Sequence, residues 1–323
     1  MNTLVTGATG FVGGHVVAAL LTRGIAVTAL VRSPSRAAAL ERLGVRLVVG
    51  DLHDDVALRR ACEGQAVVQH VAGVIAARDE AAYLRANRDG TANLLRAAEA
   101  AGVDRFVLMS SGAAAGPSRP AQPRTAEEPP APVTAYGRSK LAGEDVVRRG
   151  ALPWVILRPP TVYGPNDRDN LIKVFRLVRY GMAPVFGDGS QELSAVYAPD
   201  LAEAAVLAGS EPGVAGGTYF VNHPEVITSA ELVRLIGKTM HRRVHVISLP
   251  GGLVRPILHF TGGVARLAGK ATILNADKAN EFLQAAWTAD PSPFMRDAGW
   301  LPAFDLASGL AETWRWYRDA GWL

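Results

Sequence analysis

The run Thr6-Gly7-Ala8-Thr9-Gly10-Phe11-Val12-Gly13 constrains the chain most. It stands between a β-branched, apolar stretch at 2–6 and an apolar, helix-compatible stretch at 11–23. Alone, three glycines at this spacing signify little. Between a strand and a helix they mark a dinucleotide-phosphate turn. Gly7 permits the tight turn, Gly10 lets backbone approach a phosphate, and Gly13 lets helix and strand pack closely. The amides of Phe11 and Val12, with Thr9, then face an anion at a helix N-terminus. The pattern downstream agrees. Further short apolar runs at 26–31, 45–49, 66–71, 105–110 and 154–158 alternate with helical stretches at 36–43, 56–62 and 81–101 and a helix carrying Tyr136. Buried parallel strands covered by helices read this way. The expected fold class is α/β, a Rossmann-type doubly wound parallel sheet over 1–165, with a smaller mixed substrate lobe over 166–323 that returns some segments to the sheet.

The end of the second strand discriminates between dinucleotides. An acid there suits the ribose of NAD and an arginine suits the 2′-phosphate of NADP. The chain reads Arg32-Ser33-Pro34-Ser35-Arg36 with no acid, so NADP(H) is favoured over NAD. Asp51-Leu52 follows the third strand, where a carboxylate can accept from adenine or simply start a helix. His70-Val71-Ala72 ends the fourth, where small residues let backbone pass beneath a ribose.

Tyr136 and Lys140 are the candidate pair for chemistry. Lysine occurs only at 140, 173, 238, 270 and 278 in a chain that otherwise uses arginine for positive charge. A compact ammonium four residues after a tyrosine on a helix shares its face and can lower the phenol's pKa. The bland alternative is a solvated helical pair. Composition excludes other classes. Hydrophobic residues are 49% and charged residues 20%, with a net charge of +4, as in globular proteins. No basic block interleaves with aromatics, so nucleic acid is not an expected partner. The single Cys62 excludes an internal disulfide and fits a reducing, cytoplasmic compartment. The start of the chain enters a strand pattern at once, so no secretory leader is expected, and no apolar run suffices to span a bilayer. The stretch 112–132, rich in Ala, Pro and Ser, reads as a loop. The stretch 251–269, with Leu253, Val254, Ile257, Leu258, Phe260, Val264 and Leu267, reads as an amphipathic helix facing substrate, its own lobe or a membrane surface.

Taken together these motifs resemble the extended short-chain dehydrogenase/reductase family, also called the NAD-dependent epimerase/dehydratase family. The matching pieces include the glycine turn at 6–13, Asn87-x-x-Gly90-Thr91, Ser110-Ser111, Tyr136-x-x-x-Lys140, Arg158-Pro159-Pro160-x-Val162-Tyr163-Gly164-Pro165 and Pro199-Asp200-Leu201-Ala202. They cover about two thirds of the chain in order. The resemblance implies that Ser111, Tyr136 and Lys140 are catalytic, Ser110 being the alternative serine. Tyr136 would exchange a proton with the substrate oxygen, Ser111 would orient that oxygen, and Lys140 would hold the nicotinamide ribose and depress the pKa of Tyr136. It also implies that Asn87 lies near the cofactor, and that Pro159, Thr161 and Val162 pass beside the nicotinamide.

Two departures bear on substrate. Ala115 stands where nucleotide-sugar enzymes commonly carry a tyrosine, and Glu192-Leu193-Ser194 lacks their phosphate-binding arginine. The remaining pattern resembles the dihydroflavonol-reductase-like and 3β-hydroxysteroid-dehydrogenase-like branch. That implies reduction of an apolar ketone, or the reverse oxidation. A sugar epimerase or dehydratase and a non-catalytic dinucleotide-binding subunit are the alternatives. A homodimer through helices near 81–101 and 134–149 is the implied assembly.

Overall fold

The computed structural model describes residues 2–252, 255–256 and 277–323. Seven strands form one parallel sheet: β1 (Asn2–Thr6), β2 (Ala26–Val31), β3 (Arg46–Val49), β4 (Val67–His70), β5 (Arg105–Met109), β6 (Trp154–Arg158) and β11 (Gly217–Phe220). Their order is β11-β6-β5-β4-β1-β2-β3. The strands read as apolar runs because both faces of the sheet are covered. Leu4, Val5, Val68, Phe106 and Ile156 are fully buried, and each such side chain contributes about 1.5–3 kcal/mol relative to exposure.

On one face, α1 (Phe11–Thr22) packs beside α9 (Ala198–Ser210), joining Val16 and Leu20 to Leu201 and Ala205. On the other lie α3 (Asp55–Cys62), α5 (Gly90–Ala100) and α7 (Ala135–Arg148), which contribute Leu58, Leu94, Ala98 and Val147. Strand order reverses at β1, which has β2 on one side and β4 on the other. A ligand crevice opens at such a switch point, beyond the carboxyl ends of the strands. The glycine turn lies there.

The chain beyond 165 divides between two places. α9 and β11 return to the sheet, β11 pairing with β6 through Gly217↔Val155 to Phe220↔Arg158. The rest builds a lobe around Tyr163, Phe175, Ile236 and Tyr317. Its main elements are α8 (Leu171–Arg179), α10 (Ser229–Thr239) and the C-terminal helix Leu306–Asp319. Two strands, β8 (Met182–Phe186) and β13 (His245–Leu249), pair in parallel there. Two further small sheets join β7 (Thr161–Tyr163) to β10 (Ala195–Tyr197), and β9 (Glu192–Leu193) to β12 (Ile227–Thr228) and β14 (Ala286–Trp287). Strands of two or three residues carry too little periodicity to be read from sequence.

Two expectations change. The long helix expected over 81–101 is three pieces: Glu80–Leu84, a π-helical turn Arg85–Asp89, and α5. The stretch 112–132 is not all loop, since Gly112–Ala115 forms a helical turn capped by the Ser111 hydroxyl. It is tied down by bridges from Ser118 to Ala286 and from Arg124 to Ala289. The expected amphipathic helix at 251–269 lies largely outside the described residues. Cys62 is fully buried, and burial pushes its thiol up to about 12, so it acts as a small hydrophobe.

Candidate active site

Gly7 holds φ at +73°, and a Cβ there would sit 2.8 Å from the Ala72 amide nitrogen. The β1 turn and the Val71–Ala72 backbone therefore touch directly, further tied by the Ala72 amide donating to Thr6 Oγ1 at 3.1 Å. A Cβ on Gly13 would lie 2.1 Å from the Gly7 carbonyl oxygen, so α1 can start this close only as glycine. α1 has no side-chain N-cap and no acid in its first turn. Its opening amides, near Phe11 and Val12, thus have no side-chain acceptor and suit an anion. Thr9 and Gly10 are exposed beside them. This cradle fits the pyrophosphate of a dinucleotide.

Arg32 and Arg36 are exposed after β2, and among the described residues neither joins an ion pair. Asp51 is exposed and accepts the His53 amide at 2.7 Å, which shapes the approach to α3. The Leu52 carbonyl accepts from Asn93 at 2.9 Å. The His70 ring is committed inside the fold. It meets Thr6 Oγ1 at 2.7 Å and Thr91 Oγ1 at 3.0 Å, and burial drives its pKa down to about 3. Its contribution at the cofactor edge is limited to its backbone.

Asn87 lies inside the π-helical turn, a distortion that recurs at functional sites. Its amide clamps the chain after β4: Oδ1 accepts the Val74 amide at 2.9 Å, and Nδ2 donates to the Val74 carbonyl at 3.1 Å and to Ser139 Oγ at 2.9 Å. A Cβ on Gly73 would fall 3.0 Å from Asn87 Oδ1 and 3.5 Å from Lys140 Nζ, so these three residues converge.

Thr134 caps α7 by accepting the Gly137 amide at 3.1 Å, fixing the turn that presents Tyr136. The Ser111 hydroxyl faces the Tyr136 phenol closely enough to favour its ionised form. It also accepts the Ala113 amide at 3.2 Å, so it caps and reaches the tyrosine at once. Ser110 is excluded from that role, since its hydroxyl donates to Glu144 Oε1 at 2.5 Å. Lys140 Nζ is buried and donates to the Met109 carbonyl at 2.7 Å. Pro159 and Pro160 abut the same place: the Pro159 carbonyl accepts the Gly112 amide at 2.8 Å. Thr161 and Val162 follow half-buried in β7.

The electrostatics correct one expectation. The phenol of Tyr136 is not depressed. Burial pushes it up to about 12, nearby Glu281 and Tyr83 push the same way, and only the Ser111 hydroxyl opposes them. Lys140 bears the cost of its own burial, which drives its ammonium down to about 8 against the support of Glu144. Desolvation, which destabilises the phenolate, is the dominant cause.

Two groups of supporting residues had escaped the sequence reading. Glu144 is completely buried and is a hub. It accepts from Arg158 at 2.9 and 2.7 Å, from Arg148 at 2.8 Å and from Ser110. It thereby ties β6, the end of β5 and α7 together beside Pro159, Ser111 and Lys140. Its spacing was the available signal, because Tyr136, Lys140 and Glu144 repeat every four residues on one helical face. The second group comes from the lobe. Asp277 Oδ2 accepts the Ala135 amide at 2.8 Å and Glu281 Oε1 accepts from Thr134 at 2.9 Å, placing two carboxylates on the N-terminus of α7. No local pattern connects residues so distant in sequence.

Ala115, at the place of the sugar enzymes' tyrosine, is fully buried against Phe220 and Ala289. At the place of their arginine, Ser194 is buried and accepts the Ala289 amide at 3.2 Å, while Glu192 accepts the Ala121 amide at 2.8 Å. Residues 192–194 include no Lys or Arg.

Comparison with known proteins agrees with this geometry. Residues 3–221 match the NAD dependent epimerase/dehydratase family. The chain is 33% identical to "Ceramide reductase" of Caulobacter vibrioides, over 99% of this chain and 95% of that protein. Among solved structures, gox2253 superposes with a TM-score of 0.82 at 27% identity, covering 99% of each chain. MoeE5 in complex with UDP-glucose and NAD superposes at 0.80 with 25% identity, again over 99% of each. The chain belongs to the NAD-dependent epimerase/dehydratase family and is an NAD(P)-dependent enzyme of the extended short-chain dehydrogenase/reductase type.

Proposed function

We propose that this enzyme reduces a ketone on a largely apolar small molecule with NADPH, the reverse direction being oxidation of the secondary alcohol. The contact of Tyr136 with Ser111, beside buried Lys140, carries this reading. NADPH, when bound, supplies the hydride. The chain supplies the rest. Ser111 holds the carbonyl oxygen and Tyr136 donates the proton that the oxygen gains. With its pKa raised to about 12, the phenol holds its proton at neutral pH, the form in which it can donate. The oxidative direction needs the phenolate, which that same burial disfavours. Lys140 and Asn87 converge near Gly73, where they would meet the ribose, and Pro159, Thr161 and Val162 would line the nicotinamide. Arg32 and Arg36 would hold the 2′-phosphate, supporting NADPH over NADH.

The similarity to a ceramide reductase supports an apolar ketone. The similarity to MoeE5, which holds UDP-glucose and NAD, supports the second reading, a sugar-nucleotide epimerase. The first is preferred because Ala115, Glu192 and Ser194 offer no cation to a diphosphate. The assembly proposed is a homodimer through α5 and α7, and the compartment a cytoplasmic one. The deciding experiment follows NADPH and NADH oxidation against a series of apolar ketones, with UDP-sugars as the contrasting class. Net NADPH consumption with the ketones alone is expected. Interconversion of UDP-sugars without net cofactor consumption would transfer the assignment to the epimerase.

A further inference from the structure

The far end of the substrate lobe has one sign of charge. Residues 171–186 and 232–249 contain seven Lys or Arg and no Asp or Glu, in a chain whose net charge is only +4. Lys173, Arg176 and Arg179 come from α8, and Arg234, Lys238, Arg242 and Arg243 from α10 and the turn after it. All seven are exposed, and none joins an ion pair among the described residues. The two segments meet. The His245 amide donates to the Gly181 carbonyl at 2.9 Å, and His245 pairs with Met182 where β13 joins β8.

Large apolar groups stand among these cations. Tyr180 is 78% exposed, Met182 53% and Ile247 41%. Cations near the C-termini of α8 and α10 partly serve the helix dipoles. That accounts for neither Arg242 and Arg243, beyond the helix, nor the uncovered Tyr180 and Met182. Neighbouring carboxylates are already engaged. Glu231 is bonded to Thr228 at the opposite end of α10. Glu312 and Asp319 of the C-terminal helix pair with Arg315 and Arg318.

We propose that this patch, centred on Tyr180, Met182, Arg242 and Arg243, docks the enzyme on an anionic lipid surface. Charge complementarity identifies the occupant: spread cations fit a sheet of anionic headgroups, and apolar and tyrosyl groups between them suit the headgroup boundary. A nucleic acid is less well served, because Tyr180 is the one exposed Phe, Tyr or Trp of the patch among the described residues. The placement has a mechanical sense. β8 and β13 run from the patch to Phe186 and Leu249, a distance of about 13 Å at the usual strand rise. Phe186 there stacks on Phe282 at 4.6 Å, next to Glu281, which receives the Thr134 hydroxyl at the head of α7. Docking would hold the substrate lobe, not the cofactor sheet, toward the bilayer. The inference stands on the patch and is independent of the ketone assignment.

The test uses the full chain in vesicle cosedimentation, without substrate. Vesicles of phosphatidylcholine alone are compared with vesicles containing about 30% phosphatidylglycerol. At least about tenfold more protein is expected on the anionic vesicles, with release at high salt. Arg242→Glu with Arg243→Glu should abolish that preference, and Tyr180→Ser with Met182→Ser should weaken it. Both double variants should melt as the parent does by circular dichroism, because these side chains are exposed. Equal sedimentation with both vesicle types, absence of binding to the anionic ones, or full binding by the charge-reversed variant overturns the proposal. So does binding to RNA with no vesicle binding.

Discussion

The cofactor half and the substrate lobe are built on different principles. In the first, seven parallel strands bury both faces, and backbone meets backbone at Gly7, Gly13 and Gly143, where a Cβ would fall within 2.9 Å of a neighbouring main-chain atom. In the second, sheets of two or three strands leave Met182, Ile247 and Tyr180 in solvent. The difference teaches where function can vary. A dinucleotide is gripped by main-chain amides and close approaches, which tolerate little change. A substrate is chosen by side chains on thin, irregular scaffolding, which tolerate a great deal. The two regions meet at α7, whose Glu144 is gripped from the sheet side by Arg158 and Ser110 and whose N-terminus is capped from the lobe side by Asp277 and Glu281.

The largest effect should separate chemistry from binding within the cofactor half. Tyr136→Phe is expected to lower turnover by about 10²–10⁴-fold, the usual contribution of a positioned general acid, with NADPH affinity nearly unchanged. Steady-state kinetics beside a fluorescence titration with NADPH measures both. Lost affinity with normal turnover per bound cofactor would remove Tyr136 from the chemistry.

Next is the rigidity of the sheet side. Glu144→Ala leaves Arg158 buried without its carboxylate and should destabilise the fold by about 3–5 kcal/mol in denaturant titration. A loss below about 1 kcal/mol would mean the hub is not what stiffens this half. Arg32→Glu should then shift preference from NADPH toward NADH by about 1.5–3 kcal/mol, the range for a charge-assisted hydrogen bond. Equal affinity of the parent enzyme for both cofactors would defeat that assignment.

The smallest effect is in the pH profile. Lys140, lowered to about 8, loses its charge as pH rises through that value, while Tyr136 stays protonated until about 12. Reduction requires the ammonium and the neutral phenol. Its kcat/KM should therefore fall about fourfold between pH 7 and 8.5, with no earlier inflection from the tyrosine. Lys140→Arg should abolish the fall. An inflection near 8 that survives in this variant would belong to another group.

Legibility followed the locality of the signals. The turn at 6–13 and the pair Tyr136 and Lys140 were readable because their partners lie within one turn or one strand–helix junction. The choice between Ser110 and Ser111 was not, because it depends on Glu144 on another element taking Ser110. The helix over 81–101 was recognised, but its π-helical turn was not, since that break serves a contact between Asn87 and Val74. β8, β9, β12 and β14 went unread because pairing, more than residue pattern, makes them strands.

By itself, then, the sequence determined the parallel sheet, the phosphate turn and the tyrosine and lysine that the proposed function uses. These depend on periodicity, glycine stereochemistry and spacing along a helix, all properties of neighbouring residues. Tertiary structure alone decided the protonation chemistry and the supports. Burial raises Tyr136 and lowers Lys140, and carboxylates from Glu144, Asp277 and Glu281 arrive from different turns and different lobes. Desolvation and charge act through space, and only the folded chain sets those distances.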